Sequence, residues 1–128
     1  MSDCGCLYEY DGVEAVCYQS KHLVGRKPHK CCECRREIPA GASHERVTGK
    51  WDGEWSTYRF CAECSEIGLT FACDGGRSFG TLWEAAEEFL FPSLGPDCFD
   101  KLITANAKQF LRDRWIAWKG LDVLEAKP

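Results

Sequence analysis

Residues 31–34 read CCEC and residues 61–64 read CAEC, and these two windows decide how the rest of the chain is arranged. Each contains a Cys-x-x-Cys pair, Cys31 with Cys34 and Cys61 with Cys64. A turn across such a pair sets both sulfurs on one side of a tight knuckle. Two knuckles together supply the four tetrahedral donors that a structural zinc ion takes. The 26 residues between Cys34 and Cys61 match a β-hairpin with a generous loop. The second pair opens a short helical stretch, where backbone N–H groups and the helix dipole favour thiolate. Cys32 fits only a tighter Cys-x-Cys spacing and reads as a bystander.

The wider composition agrees with a metal. The chain has ten cysteines in 128 residues, a density that signals disulfides or metal. Its first residues, MSDCGCLYEYDG, contain neither a basic segment nor an apolar core of a signal peptide. The expectation is therefore a reducing, cytoplasmic setting, where disulfides are disfavoured and paired cysteines bind metal. The longest apolar runs are about five residues, against about 20 for a membrane span. A net charge of −4 gives no bulk signal for nucleic acid.

Outward from the knuckles, the chain reads as α+β. Asp11-Gly12, flanked by strand-forming residues, predicts an N-terminal β-hairpin over residues 5–19 that sets Cys6 opposite Cys17. SHERVTG and EWSTYRF predict two strands around KWDG. AECSEIGLTF predicts a short helix with Ile67 and Phe71 on one face. Thr81-x-x-Glu84 has the form of a capping box, with Leu82, Ala86, Phe89 and Leu90 as an apolar stripe and Pro92 as the stop. Helical periodicity resumes from Asp97, with a break near TANA and Gly120 as a C-cap. The expected organisation is a β-hairpin plus zinc module over 1–76 and an extension of two or three helices over 77–128.

Knuckle, hairpin and a helix carrying the second cysteine pair form the order of a treble clef. The run His29-Lys30-Cys31, Cys34, Ile38, Gly41, Gly49-Lys50-Trp51-Asp52-Gly53, Cys61 and Cys64, followed by Phe79-Gly80-Thr81-Leu82-Trp83-Glu84, resembles a group of small phage and prophage proteins with a treble-clef zinc module. The resemblance covers roughly residues 1 to 90. It implies a phage-related setting and a zinc fold, and assigns no activity.

The remaining site readings are weaker in spacing. Cys4, Cys6, Cys17 and Cys73 would form a second metal site if the N-terminal hairpin packs beside the short helix; the competing reading is small buried residues or free thiols. Cys98 reads as a core or surface thiol. His44 stands where nuclease-type treble clefs place a catalytic histidine, but no histidine follows it, so no nuclease site is complete. Trp51 and Trp55 near the hairpin tip are either partner anchors or cross-strand packing. Residues 20–37 carry six cations, Lys21 to Arg36, against Glu33 and Glu37, and Arg35 and Arg36 would be the phosphate contacts of this basic segment.

The expected function is a non-catalytic, zinc-stabilised phage-type factor that binds a host protein in the host cytoplasm, as an inhibitor of a defence protein of the anti-CRISPR kind would. The alternative is a nucleic-acid-binding regulator using the basic knuckle. Neither reading calls for a membrane, a small-molecule substrate or enzymatic chemistry.

Overall fold

The computed structural model describes residues 16–51, 53–72 and 79–126. The expected Asp11-Gly12 hairpin and the boundary at 76/77 lie outside these residues. Among the described residues the fold is mixed α+β with antiparallel sheets and four α-helices. Its strands are β1 (Val16–Val24), β2 (His29–Lys30), β3 (Glu37–Ile38), β4 (Ser43–Trp51) and β5 (Glu54–Cys61). The helices are α1 (Ala62–Thr70), α2 (Leu82–Ala85), α3 (Pro96–Phe99) and α4 (Ala105–Ala126). β1 continues well past residue 19, where the sequence reading ended the hairpin arm.

The larger sheet has the order β1-β4-β5, and β2 pairs with β3 in a small second sheet. The β4–β5 hairpin is the one expected around KWDG, with Trp51 opposite Glu54 and His44 opposite Cys61. Gly53 takes φ 83°, the left-handed conformation that glycine reaches without steric cost. Alternation along β4 separates two faces. Glu45 and Val47 point inward with their β5 partners Phe60 and Tyr58. Arg46, Thr48 and Lys50 stand on the outer face with Arg59, Thr57 and Trp55.

The inner face is roofed by aromatic rings. Trp51 meets Tyr58 edge-on at 5.7 Å and Phe79 at 5.8 Å, and Tyr58 and Phe60 both stack on Phe79. A single buried cluster runs from Cys31, Val47, Phe60 and Ile67 through Leu82 and Leu90 to Leu111. The C-terminal helices thus share one core with the sheet and α1.

Several local signals were replaced by tertiary ones. Thr81 is the N-cap of α2 without a side-chain cap bond. Instead the carboxylate of Glu33, 49 residues away in the knuckle, accepts from Leu82 N at 3.1 Å. Past Ala85 the chain widens into a π turn, Ala86–Leu90, then tightens into a 3-10 turn, Phe91–Ser93. The wider turn displaces the helical stripe, so Phe89 is exposed while Trp83 and Phe91 are buried. Pro92 lies inside the 3-10 turn, and α4 runs through Gly120 rather than ending there. The expected break near TANA is present: Glu66 of α1 accepts from Ile103 N, Thr104 N and Thr104 Oγ1, and Thr104 in turn caps Ala107 N.

Candidate metal centre

The β2–β3 turn carries the first cysteine pair. Cys31 N donates to Arg36 O at 2.9 Å and Arg35 N to Cys31 O at 3.0 Å, closing a knuckle over the pair. Arg35 completes the turn with φ 67°, a conformation that costs a non-glycine residue roughly 1–2 kcal/mol. Glu33 N points at Cys31 Sγ at 3.4 Å. The second pair stands at the junction of β5 and α1. Cys61 is the N-cap of α1, and its sulfur accepts from Cys64 N at 3.5 Å.

These turns bring the sulfurs of Cys31, Cys34, Cys61 and Cys64 to within 4.8 Å of one another. A tetrahedron with metal–sulfur bonds of about 2.3 Å requires sulfurs about 3.8 Å apart. Cys34 and Cys61 already stand at 3.8 Å. Cys31, Cys61 and Cys64 are buried and Cys34 is partly buried. The set therefore fits a four-coordinate metal ion held entirely by the protein.

The electrostatics favour thiolate at Cys34. Hydrogen bonds from Cys31, Cys61 and Cys64, joined by one from Arg36, hold the Cys34 thiol far below its ordinary pKa. Contacts with Cys31 and Cys34 push Cys61 and Cys64 up, because the four groups share protons and negative charge. Arg36 supplies the compensating cation: Nε lies 3.3 Å from Cys34 Sγ and Nη2 3.4 Å from Cys61 Sγ. Its partial desolvation opposes the charged form, but the bonds to Cys34 and Cys61 outweigh that and raise its pKa. Nη2 also pairs with Glu63 at 3.3 Å, and the guanidinium lies 4.0 Å from the centre of the Phe110 ring. Arg36 thus ties the cysteine cluster to α4; from the sequence it is a partner contact and, with Lys30 and Arg35, a cation near the negative site, and its reach to Phe110 is not legible there.

Cys32 is outside the cluster. Its N–H donates to Arg59 O at 2.8 Å, and its sulfur accepts from Arg59 N at 3.5 Å. It therefore docks the knuckle on the edge of β5. Cys4, Cys6 and Cys73 lie outside the described residues, and so does the side chain of Cys17. Cys98 is buried and disulfide-bonded rather than a thiol.

His44 is 1% exposed, with Arg59 Nη1 at 2.8 Å from Nε2 and the Ala42 carbonyl at 3.5 Å from Nδ1. Both ring nitrogens are engaged by the protein. His29 packs beside it with ring centres 5.5 Å apart. Desolvation, followed by electrostatic interaction with Arg59, His44 and Lys27, lowers the His29 pKa. Of the two tryptophans singled out as anchors, Trp51 is folded into the aromatic roof, and Trp55 is 61% exposed. Arg35 is exposed at the knuckle.

Among the described residues no helix is long and apolar enough to cross a membrane. No protein-family model matches the chain, and no curated protein or solved structure matches it.

Proposed function

We propose that this chain is a non-catalytic protein-binding factor built on a treble-clef module, in which zinc is a structural element. The observation that carries the reading is the link from the cysteine cluster, through Arg36, to an aromatic groove. Four thiolates leave a tetrahedral ion no open position for substrate or water, so the centre organises surface rather than performing chemistry. From Arg36 a stack continues outward. Arg36 lies over Phe110, Arg114 lies 5.4 Å from Phe110 and 4.3 Å from Trp83, and Phe91 meets Trp118 at 5.5 Å. These residues line a groove of about 720 Å³ whose rim carries Glu84, Glu87 and Asp113 beside the arginines.

Aromatic and arginine side chains at the centre with charges of both signs at the rim are the anatomy of a protein interface. The carboxylates make the groove unsuited to a polyanion. In the setting implied by the phage resemblance, the partner is a host or defence protein, and the factor acts by occupying it. The test is affinity capture from nuclease-treated host lysate, identification of the bound protein, and calorimetric titration with that protein purified. The double variant Arg114→Ala, Trp118→Ala is expected to bind at least tenfold more weakly while keeping its zinc. Undiminished binding by that variant, or capture that vanishes on nuclease treatment, would refute the reading.

A further inference from the structure

The outer face of the three-stranded sheet is made of different chemistry. In register, Lys21 of β1 stands opposite Arg46 of β4, and Arg46 opposite Arg59 of β5. One row across the sheet is therefore three cations. Two residues along, Thr48 and Thr57 share a hydroxyl contact at 3.3 Å, and beyond them Lys50 stands opposite Trp55. Among the described strand positions this face has no carboxylate, in a chain with 20 acidic and 16 basic residues.

Like charges directly opposite on neighbouring strands destabilise a sheet, and here the repulsion occurs twice in one row. Protection of sheet edges accounts for a lysine or arginine on β1 or β5, but not for Arg46 on the central strand. The one ion pair among the described residues is Arg36–Glu63, so no described carboxylate pairs with the row. Arg59 is further held by its bond to the buried His44. The face is about 10 Å across three strands, with the exposed indole of Trp55 at its end.

We infer that this cationic sheet face binds single-stranded nucleic acid, with Lys21, Arg46, Lys50 and Arg59 along the phosphates and Trp55 stacked on a base. A single strand laid over this face would present its phosphates to the cations and a base face to Trp55 together. The inference is independent of the groove proposed for a protein partner, which lies on the helices. It also moves any nucleic-acid contact away from Arg36, whose guanidinium is engaged by Cys34 and Cys61.

The test uses the zinc-loaded full chain and fluorescently labelled 20-nucleotide single-stranded RNA, the same length of single-stranded DNA, and a duplex, by anisotropy over a salt series. With about four phosphates neutralised and a slope of roughly −0.7 per phosphate, raising salt from 50 to 200 mM is expected to weaken binding about 50-fold. Lys21→Gln with Arg46→Gln should cut that salt effect to about sevenfold. Trp55→Ala should weaken single-strand binding about tenfold. Zinc content and circular dichroism confirm that each variant is folded, and Arg114→Ala, Trp118→Ala serves as a control that keeps full affinity. Tight, salt-dependent binding to RNA or DNA single strands supports the inference. No saturable binding at 50 mM salt, preference for the duplex, or an unchanged salt slope in the double glutamine variant overturns it.

Discussion

Replacing Arg36 with alanine removes the only side-chain cation, among the described residues, in contact with the cluster sulfurs and frees α4 from the knuckle in one step. Two N–H···S bonds, at 3.3 and 3.4 Å, are lost. Bonds to charged acceptors are worth about 1.5–3 kcal/mol each. The Arg36 side chain is 47% exposed, so solvent screening brings the pair down to about 2 kcal/mol in total. At about 1.4 kcal/mol per decade this is a roughly 30-fold loss of zinc affinity, within the span of about 10–100-fold that outer-shell partners of metal ligands command. Loss of the Phe110 contact and the Glu63 pair adds about 1 kcal/mol to the cost in folding stability. For a domain of this size the melting temperature should fall by about 10 °C. Arg36→Lys keeps the charge without the fork that spans two sulfurs, and should recover about half of the loss. Zinc affinity is read by competition with a chromophoric chelator, and stability by thermal unfolding at saturating zinc. If Arg36→Ala holds zinc within threefold of the parent, the guanidinium is not a working part of the centre and the reasoning fails.

Elemental analysis should find one equivalent of zinc lost from Cys31→Ser, and the parental zinc content in Cys32→Ser; the reverse would reassign the ligand. Gly49→Ala places a Cβ 2.8 Å from the Trp51 ring, so it should cost about 1–2 kcal/mol, and an unchanged urea midpoint would contradict the packing described. Slight desolvation of Glu66 is outweighed by hydrogen bonds from Thr104 and Ile103, which lower its pKa. Its contribution is therefore present above the unfolded value near 4.5 and lost as pH falls through the lower folded value. The urea-stability gap between parent and Glu66→Gln should be about 1 kcal/mol at pH 7 and close below pH 4.5; a constant gap would refute the assignment. Lys21→Gln with Arg46→Gln relieves cross-strand repulsion and should raise stability by about 0.5–1 kcal/mol, and a fall in melting temperature would show that the two cations are held by attractive partners.

The cluster was legible because Cys-x-x-Cys geometry is local. Spacing alone fixes which sulfurs share a knuckle, and it separated Cys31 from Cys32 although the two are adjacent. The β4–β5 hairpin was legible for the same reason, since Gly53 supplies the turn and alternating β-branched and aromatic residues supply the strands. What failed were local helix signals that tertiary contacts or a change of helical period override. Thr81-x-x-Glu84 reads as a self-contained cap, yet the N–H of Leu82 is taken by Glu33 from across the molecule. The helical stripe through Phe89 presumes a regular period, which the π turn breaks. Gly120 would end an isolated helix, but α4 continues to Ala126. The cationic row was hidden because Lys21, Arg46 and Arg59 are far apart in sequence and are joined only by register.

On the two binding proposals, placement of the cluster lets a metal without open coordination support both surfaces. It lies between the two surfaces and is attached to each by a separate contact. Cys32 holds the knuckle to the backbone of Arg59, on the strand that carries part of the cationic row. Arg36 holds the same knuckle to Phe110, on the helix that lines the groove. Glu33, between the two cysteine ligands, fixes the first turn of α2, which forms the other wall. Three residues of one loop thus connect the sheet, the groove and the metal ligands. Because zinc binding and folding are coupled in small thiolate modules, removing the ion should loosen all three attachments together. Chelation should therefore abolish binding at both surfaces, whereas Trp118→Ala and Lys21→Gln should each affect one. That pattern distinguishes a structural ion from one that touches a partner, for which loss would be confined to a single surface.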